Sequence, residues 1–350
     1  MTTLTEVPTT TFTAPAFAPA PAEARGSRRD ATRLLVARPT GVTHAAFHDL
    51  ADHLHAGDLV VVNDSATVAG QADARSTRHG AVVVHAAAPL DDGTWVIEVR
   101  TAPAAALPVL DAQPGDRLTL SGATLDLLEA HPRDGSSPAR DGNRLWRARV
   151  TGDLARTMAR HGRPISYGYL DRTYPLVDYQ TIFGVRPGSA EMPSAARPFT
   201  PDLVTRLVSR GIGVAPVTLH TGVSSQEAGE APQPERFEVT DTTARVVNAV
   251  RAGGGRVVAV GTTVTRALES AVAPDGRVVA RAGWTEQVVT PADPPRVVTG
   301  LVTGWHDPAA SHLLLVEAVA GRDLTQAAYD EAVAGGYLWH EFGDAGLFLP

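Results

Sequence analysis

The stretch that decides the fold is GRVVAVGTTVTRALESAV, residues 255–272. It begins with an apolar run, 257–260, turns at Gly-Thr-Thr, 261–263, and continues as a helix. A strand followed by a turn and a helix is one βα unit, and such units build α/β proteins. The stretch therefore predicts an α/β layer structure.

Strands and helices alternate on both sides of this unit. Helices are predicted at 43–54, 200–211, 241–255 and 311–321, and strands at 57–64, 212–222 and 297–308. Residues 75–155 differ, because short strands follow one another there between Gly, Pro and Asp turns. We predict a main α/β domain (28–74 and 156–350) with a small all-β, barrel-like domain inserted at 75–155. Residues 1–27, rich in Thr, Ala and Pro, are predicted to form a mobile tail.

The composition excludes several kinds of chemistry. The 350 residues include no cysteine, which excludes disulfides and thiolate sites, and no lysine, which excludes a pyridoxal-phosphate imine. A formal net charge of -7 weighs against a polyanionic partner. The sequence shows neither a secretory leader nor a run of about 18 apolar residues, so we expect a cytoplasmic protein without a membrane span.

Polar side chains stand at the carboxyl ends of the predicted strands, where ligands of open α/β sheets bind. These residues are Asn63, Asp64, His220, Gly261, Thr262, Thr263 and His306. Backbone N–H groups at the start of the helix after Gly261 suit an anionic group, although a threonine cap on that helix explains the same residues. His220 and His306 lack the close spacing of a ligand pair, so we predict no metal site.

Several segments resemble, in order, motifs of the S-adenosylmethionine:tRNA ribosyltransferase-isomerases of queuosine biosynthesis. They are ATRLLV (31–36), AGDLVVVND (56–64), DYQTIFG (178–184), GSAEMPSAARPFT (188–200), VTLHTG (217–222), AVGTTVTRALESA (259–271), LVTGWHDP (301–308) and YLWHEFGDAGLF (337–348). The resemblance implies an α/β domain with an inserted barrel, and S-adenosylmethionine (SAM) as a substrate. It implies SAM contacts at Asn63, Asp64, Tyr179, Gln180, Thr181, Ser189, Gly261, Thr262, Thr263 and Arg266.

The chain departs from the family pattern where the family has arginine, lysine and histidine. The positions that lack them are Ser65-Ala66, Gln71, 230–239 and 303–310. In the loop 188–200, Glu191 replaces an alanine and Arg197 replaces a leucine. Because basic groups bind phosphate, their loss disfavours a tRNA substrate.

We favour an enzyme that consumes SAM without tRNA. A base (Glu191, His220 or His306) and a carboxylate clamp (Arg197 or Arg266) would let the α-carbon of SAM attack its γ-carbon. The products would be 1-aminocyclopropane-1-carboxylate and methylthioadenosine.

Two alternatives remain. One is the family reaction, transfer of the ribosyl group of SAM to 7-aminomethyl-7-deazaguanine in tRNA to give epoxyqueuosine. The other is a non-catalytic protein that binds SAM. The sequence leaves open the acceptor, the S–C bond that breaks, the base and the oligomeric state.

Overall fold

The computed structural model describes residues 6–13, 16–133, 142–224, 229–308 and 310–350. The strands in this part of the chain are β1 (Arg33–Arg38), β2 (Gly41–Ala46), β3 (Leu59–Asn63), β4 (Ser65–Thr67), β5 (Gln71–Ser76), β6 (Gly80–Pro89), β7 (Trp95–Thr101), β8 (Arg117–Thr119), β9 (Ala123–Ala130), β10 (Leu145–Gly152), β11 (Arg186–Ser189), β12 (Gly213–His220), β13 (Glu235–Val239), β14 (Val257–Val260), β15 (Arg281–Thr285), β16 (Gly300–Gly304) and β17 (Ala345–Phe348). The α-helices are α1 (Leu154–His161), α2 (Pro201–Ser209), α3 (Asp241–Ala252), α4 (Thr262–Ser270), α5 (Ser311–Ala320) and α6 (Arg322–Ala334). Short 3-10 helices are Arg29–Ala31, Phe47–Asp52, Leu176–Tyr179 and Ser194–Ala196.

A nine-stranded sheet forms the centre of the main domain, in the order β15-β13-β12-β3-β14-β16-β17-β1-β2. The strands β12, β3, β14 and β16 run parallel to one another. β3 and β14 are buried along their whole length, as expected of apolar parallel strands covered on both faces. Because these strands are parallel, their carboxyl ends meet at one edge of the sheet.

Two apolar cores cover the two faces of this sheet. Successive residues of a strand point to opposite faces, so Leu59 and Val61 enter one core while Val60 and Val62 enter the other. Helices α3 to α6 contribute to the first core, and α2 contributes to the second. The sheet therefore lies between two helical layers.

The inserted domain is a closed barrel with the strand order β10-β7-β6-β5-β8-β9. The strand β9 alternates between buried and accessible residues, with Ala123, Leu125 and Leu127 buried in the barrel interior. The barrel strands run from Gln71 to Gly152, between β4 and β11 of the main domain. The predicted fold class, an α/β domain with an inserted barrel-like domain, is confirmed.

The described part of the N-terminal segment packs against the main domain, in contrast to the mobile tail that the composition predicts. Thr10 donates hydrogen bonds from its N–H and its hydroxyl to Oε1 of Glu317, each at 2.7 Å. Further along, Phe17 lies beside Trp339, and Ala18 is fully buried. This packing brings the segment to the carboxyl edge of the sheet.

Candidate active site

A cavity of about 510 Å³ lies at the carboxyl ends of β12, β14 and β16. Residues that follow these strands form one wall, including Thr221, Gly261 and Trp305. Arg100 of the barrel and Phe17 of the N-terminal segment complete the enclosure. The volume is within the usual range for a small-molecule site, and the strand-end position is the one expected of an α/β sheet.

Glu191 enters this cavity from the loop after β11. Its carboxylate accepts hydrogen bonds from the hydroxyl of Tyr167 and from both the hydroxyl and the N–H of Ser224. The hydroxyl of Thr221 donates to the backbone carbonyl of Glu191. The two residues that donate to the carboxylate, Tyr167 and Ser224, are uncharged, so they orient the carboxylate without forming an ion pair with it.

Glu341 provides a second carboxyl group in the cavity wall. Its Oε2 accepts a hydrogen bond from the hydroxyl of Tyr169 at 2.6 Å, and its buried Oε1 has no partner among the described residues. Burial raises the pKa of Glu341 to about 8; the bond from Tyr169 opposes this shift and the charge of Glu191 adds to it. Near neutral pH this group can therefore hold or release a proton.

Arg266 and Glu235 form an ion pair in the wall. Arg266 also donates from Nε to the carbonyl oxygen of Gln287 at 3.0 Å and from Nη2 to that of Gln233 at 2.9 Å. Glu235 accepts a further bond from the N–H of Gly222 at 3.0 Å, while burial raises its pKa. Since its donors face protein acceptors, Arg266 stabilises the wall.

The N-terminus of α4 faces the cavity through Gly261, Thr262 and Thr263. Gly261 is the N-cap residue, with φ at 92°, and no side chain caps the helix. The alternative that a threonine caps this helix is therefore wrong. The first N–H groups of α4 remain suited to an anionic ligand group such as a carboxylate.

Three histidines line the same cavity, namely His306, His312 and His340. His306 and His312 stack with ring centroids 5.0 Å apart, and Nε2 of His306 is 2.9 Å from the hydroxyl of Thr303. Burial lowers the pKa of all three, to about 4 for His312. They are consequently uncharged at neutral pH and act as hydrogen-bonding groups.

Similarity to known proteins identifies the family. A family model described as queuosine biosynthesis protein matches residues 11–348. The S-adenosylmethionine:tRNA ribosyltransferase-isomerase of Acidiphilium cryptum is 36% identical over 334 residues, which cover 91% of this chain and 92% of that protein. The enzyme of the same name from Symbiobacterium thermophilum is 34% identical over 332 residues, covering 92% and 94%. The chain belongs to the S-adenosylmethionine:tRNA ribosyltransferase-isomerase family.

A solved structure agrees with this membership. The S-adenosylmethionine tRNA ribosyltransferase of Thermotoga maritima is 27% identical to this chain, with a TM-score of 0.51. The match covers 95% of this chain and 96% of that one, so it extends over both the α/β domain and the barrel.

About half of the site residues that we predicted from the sequence line the cavity. Those in its wall are Tyr179, Glu191, Gly261, Thr262, Thr263, Arg266 and His306. Those outside the wall are Asn63, Asp64, Gln180, Thr181, Ser189, Arg197 and His220.

Several of the residues outside the wall are bound to other parts of the protein. Nδ2 of Asn63 donates to the carbonyl oxygen of Leu219 at 2.8 Å, and Oδ1 of Asn63 accepts from the N–H of Leu219 at 3.0 Å. The hydroxyl of Thr218 donates to Asp64, and the amide of Gln180 donates to the carbonyl oxygen of Thr67 at 2.7 Å. These contacts hold β3, β4 and β12 together beneath the cavity.

His220 does not reach the cavity wall. Its Nδ1 lies 2.7 Å from the hydroxyl of Ser65, which is also 2.6 Å from the hydroxyl of Ser189. Burial lowers the pKa of His220. The geometry therefore favours a structural role over that of general base.

Arg197 also forms its hydrogen bonds with other residues of the protein. It donates from Nε to the carbonyl oxygen of Asp178 at 2.9 Å and from Nη2 to Glu23 at 3.0 Å. Its guanidinium lies 4.9 Å from the ring centre of Phe342. These contacts anchor the N-terminal segment, and Arg197 does not line the cavity, so the geometry favours a structural role over the predicted role of carboxylate clamp.

Sequence reasoning missed the residues that shape the site around Glu191. They are Phe17, Tyr167, Tyr169, Ser224, His312, His340 and Glu341. Tyr167 and Tyr169 stand two apart in PISYGYL (164–170), and Glu341 follows His340 in a segment that carries the family resemblance. Two tyrosines with this spacing, and an acid in a family motif, were the available signals.

No helix in the described part of the chain is long and apolar enough to cross a membrane. Among the described residues, histidine, aspartate and glutamate side chains form no group of three that could hold a metal ion.

Proposed function

We propose that this protein binds SAM in the Glu191 cavity and transfers its ribosyl group to a deazaguanine base of tRNA. The family membership supports this reaction, because relatives that match about nine-tenths of the chain carry its name. The observation that carries the proposal is a cavity of suitable size, at the strand ends, with a helix N-terminus in its wall.

The cavity is chemically complementary to SAM. SAM has a carboxylate, and the first N–H groups of α4 offer an uncapped anion site. SAM also has a cationic sulfonium, and the carboxyl groups of Glu191 and Glu341 lie in the same cavity. Enclosure by two domains would exclude water from the activated S–C bonds.

The family reaction is balanced with tRNA as acceptor. The ribosyl group forms a bond to the aminomethyl-deazaguanine base, and adenine and methionine leave as it rearranges to epoxyqueuosine. The sequence had led us to disfavour tRNA because basic residues are missing from several motifs. The named relatives support tRNA as a partner more strongly than the net charge of -7 opposes it.

One observation favours a second reaction, which uses SAM alone. Glu191 lies in the cavity, held by Tyr167 and Ser224, at a position where the sequence resemblance implies alanine in the family. As a base it would take the α-proton of SAM, and the resulting carbanion would form a bond to the γ-carbon. The γ-carbon–sulfur bond would break with its electron pair on sulfur, giving 1-aminocyclopropane-1-carboxylate and methylthioadenosine. A lysine-free chain would reach this product without a pyridoxal-phosphate imine.

Product analysis separates the two reactions. Purified protein is incubated with SAM, with and without tRNA bearing the aminomethyl-deazaguanine base, and the products are identified by mass spectrometry. Adenine, methionine and modified tRNA, formed only with tRNA, are the expected result. Methylthioadenosine and a cyclic amino acid formed without tRNA would establish the second reaction instead. Intact SAM in both mixtures would refute catalysis.

A further inference from the structure

The cavity contains two carboxyl groups that lack a cationic partner. Glu191 accepts hydrogen bonds from Tyr167 and Ser224, and Glu341 accepts one from Tyr169. Among the described residues, neither carboxyl group forms an ion pair with an arginine or a histidine. With a pKa of about 8, Glu341 stays largely protonated at neutral pH, and a cation bound beside it would favour its ionised form.

The arginines of the wall do not supply that cation. Arg266 pairs with Glu235 and donates to backbone carbonyl groups. Arg100 pairs with the buried Glu98 at 2.6 Å and donates to the carbonyl oxygen of Ala105, also at 2.6 Å. The positive charge of both arginines is therefore directed at other acids.

Aromatic rings surround the two carboxyl groups. The rings of Tyr167 and Tyr169 are stacked with centroids 6.4 Å apart, so their hydroxyls hold Glu191 and Glu341 on neighbouring parts of the wall. His340 stacks on Tyr169 at 4.6 Å. The guanidinium of Arg100 lies 5.7 Å from the ring centre of Tyr167, so both rings already pack against protein groups and serve to position their hydroxyls on the two carboxyl groups.

Three buried polar atoms in the same wall lack a hydrogen-bond partner among the described residues. The hydroxyl of Tyr179 and Nε1 of Trp305 have no hydrogen-bond partner among the described residues, although these residues are only 3% and 2% exposed. Oε1 of Glu341 is buried and unpartnered as well. Because buried polar groups are nearly always satisfied, a polar ligand or ordered water in the cavity would partner these three atoms.

We propose that Glu191 and Glu341, held in place by the hydroxyls of Tyr167 and Tyr169, form a cation subsite that holds the sulfonium of SAM. The inference rests on the proposed function only in naming SAM as the ligand. Its consequence is selectivity for charge: the subsite binds the sulfonium and rejects the neutral thioether of S-adenosylhomocysteine. A product that has lost the sulfonium charge would consequently leave more readily.

Calorimetric titration with two stable analogues tests this charge selectivity. Sinefungin carries an ammonium group in place of the sulfonium, whereas S-adenosylhomocysteine is neutral at that position, and both keep the same adenosine and amino-acid groups. We expect the wild-type protein to bind sinefungin roughly 10- to 100-fold more tightly than S-adenosylhomocysteine. Glu341→Gln and Glu191→Gln should each lower this ratio at least about threefold while leaving affinity for S-adenosylhomocysteine within about twofold.

Glu129→Gln is the matched control, because it removes the same charge from an exposed barrel residue. It should leave the ratio unchanged, and thermal unfolding of every variant checks that it is folded. Equal affinities of the wild-type protein for the two analogues would overturn the proposed subsite. This comparison does not depend on whether any variant folds. If the protein binds SAM in spite of equal affinities for the analogues, only the subsite is wrong and the proposed function remains. If the protein does not bind SAM, both the subsite and the proposed function are wrong.

Discussion

Tyr169 donates its hydroxyl hydrogen to Oε2 of Glu341 at 2.6 Å, across 172 positions of sequence. Tyr169 belongs to the segment that returns from the barrel, and Glu341 precedes the strand β17 at the end of the chain. This bond therefore fixes the carboxyl group of Glu341 in the cavity wall from a distant part of the chain.

Replacement of Tyr169 by phenylalanine tests that bond directly. The variant keeps the ring but removes the donor, so the pKa of Glu341 should rise above its value of about 8. We expect sinefungin binding at pH 7 to weaken by about threefold to tenfold, measured by calorimetry. Tyr174→Phe is a matched control outside the cavity wall, since Tyr174 donates to Asp171 instead. Equal effects of the two variants would contradict a specific role for Tyr169.

Stability should depend on pH through Glu341. Its folded pKa of about 8 exceeds the ordinary value of 4.5, so the folded state binds the extra proton between these limits. The free energy of unfolding should therefore fall as pH rises from about 5 to 8, by at most about 1.4 kcal/mol per pH unit from this group. In Glu341→Gln that component should disappear from urea unfolding curves. A pH dependence identical to that of the wild type would contradict the assignment.

The ion pair of Arg266 with Glu235 should be essential for stability. In Arg266→Met the carboxylate of Glu235 would be buried without its cation, so we expect a loss of about 3–5 kcal/mol in the free energy of unfolding. The double variant Arg266→Met/Glu235→Leu should recover much of this loss, because no unpaired charge remains. Urea unfolding measures both, and a double variant less stable than the single one would contradict the explanation.

Arg197 should affect stability rather than the Michaelis constant for SAM. Arg197→Met removes the contacts with Glu23 and with the carbonyl group of Asp178, and should cost about 1–3 kcal/mol in unfolding free energy. Steady-state kinetics should show a KM for SAM within about threefold of the wild-type value. A large increase in KM with unchanged stability would restore the role of substrate clamp.

The sequence predicted the sheet better than the site. Continuous apolar runs, as in β3 and β14, can be buried only between two layers, and so they indicate parallel central strands. The strand-end rule selected Gly261 and His306, and both line the cavity. It gives the position of a backbone and not the direction of a side chain, which is why His220, also at a strand end, turns instead to Ser65.

Long-range pairing accounts for most of what sequence reasoning missed. Arg197 forms an ion pair with Glu23, which is 174 positions away in sequence and lies in the segment that the composition predicts to be a tail. Glu341 and Tyr169 lie 172 positions apart in sequence, and neither residue belongs to a local pattern that indicates its partner. Such contacts depend on tertiary packing, which local periodicity does not encode.

The most direct test of the central claim is a crystal structure of the protein with sinefungin. The account predicts the analogue in the cavity, with its side-chain ammonium within about 6 Å of the carboxyl groups of Glu191 and Glu341. Its carboxylate should lie at the N-terminus of α4, near Thr262. An analogue bound outside this cavity, or with its ammonium away from both carboxyl groups, would contradict the account.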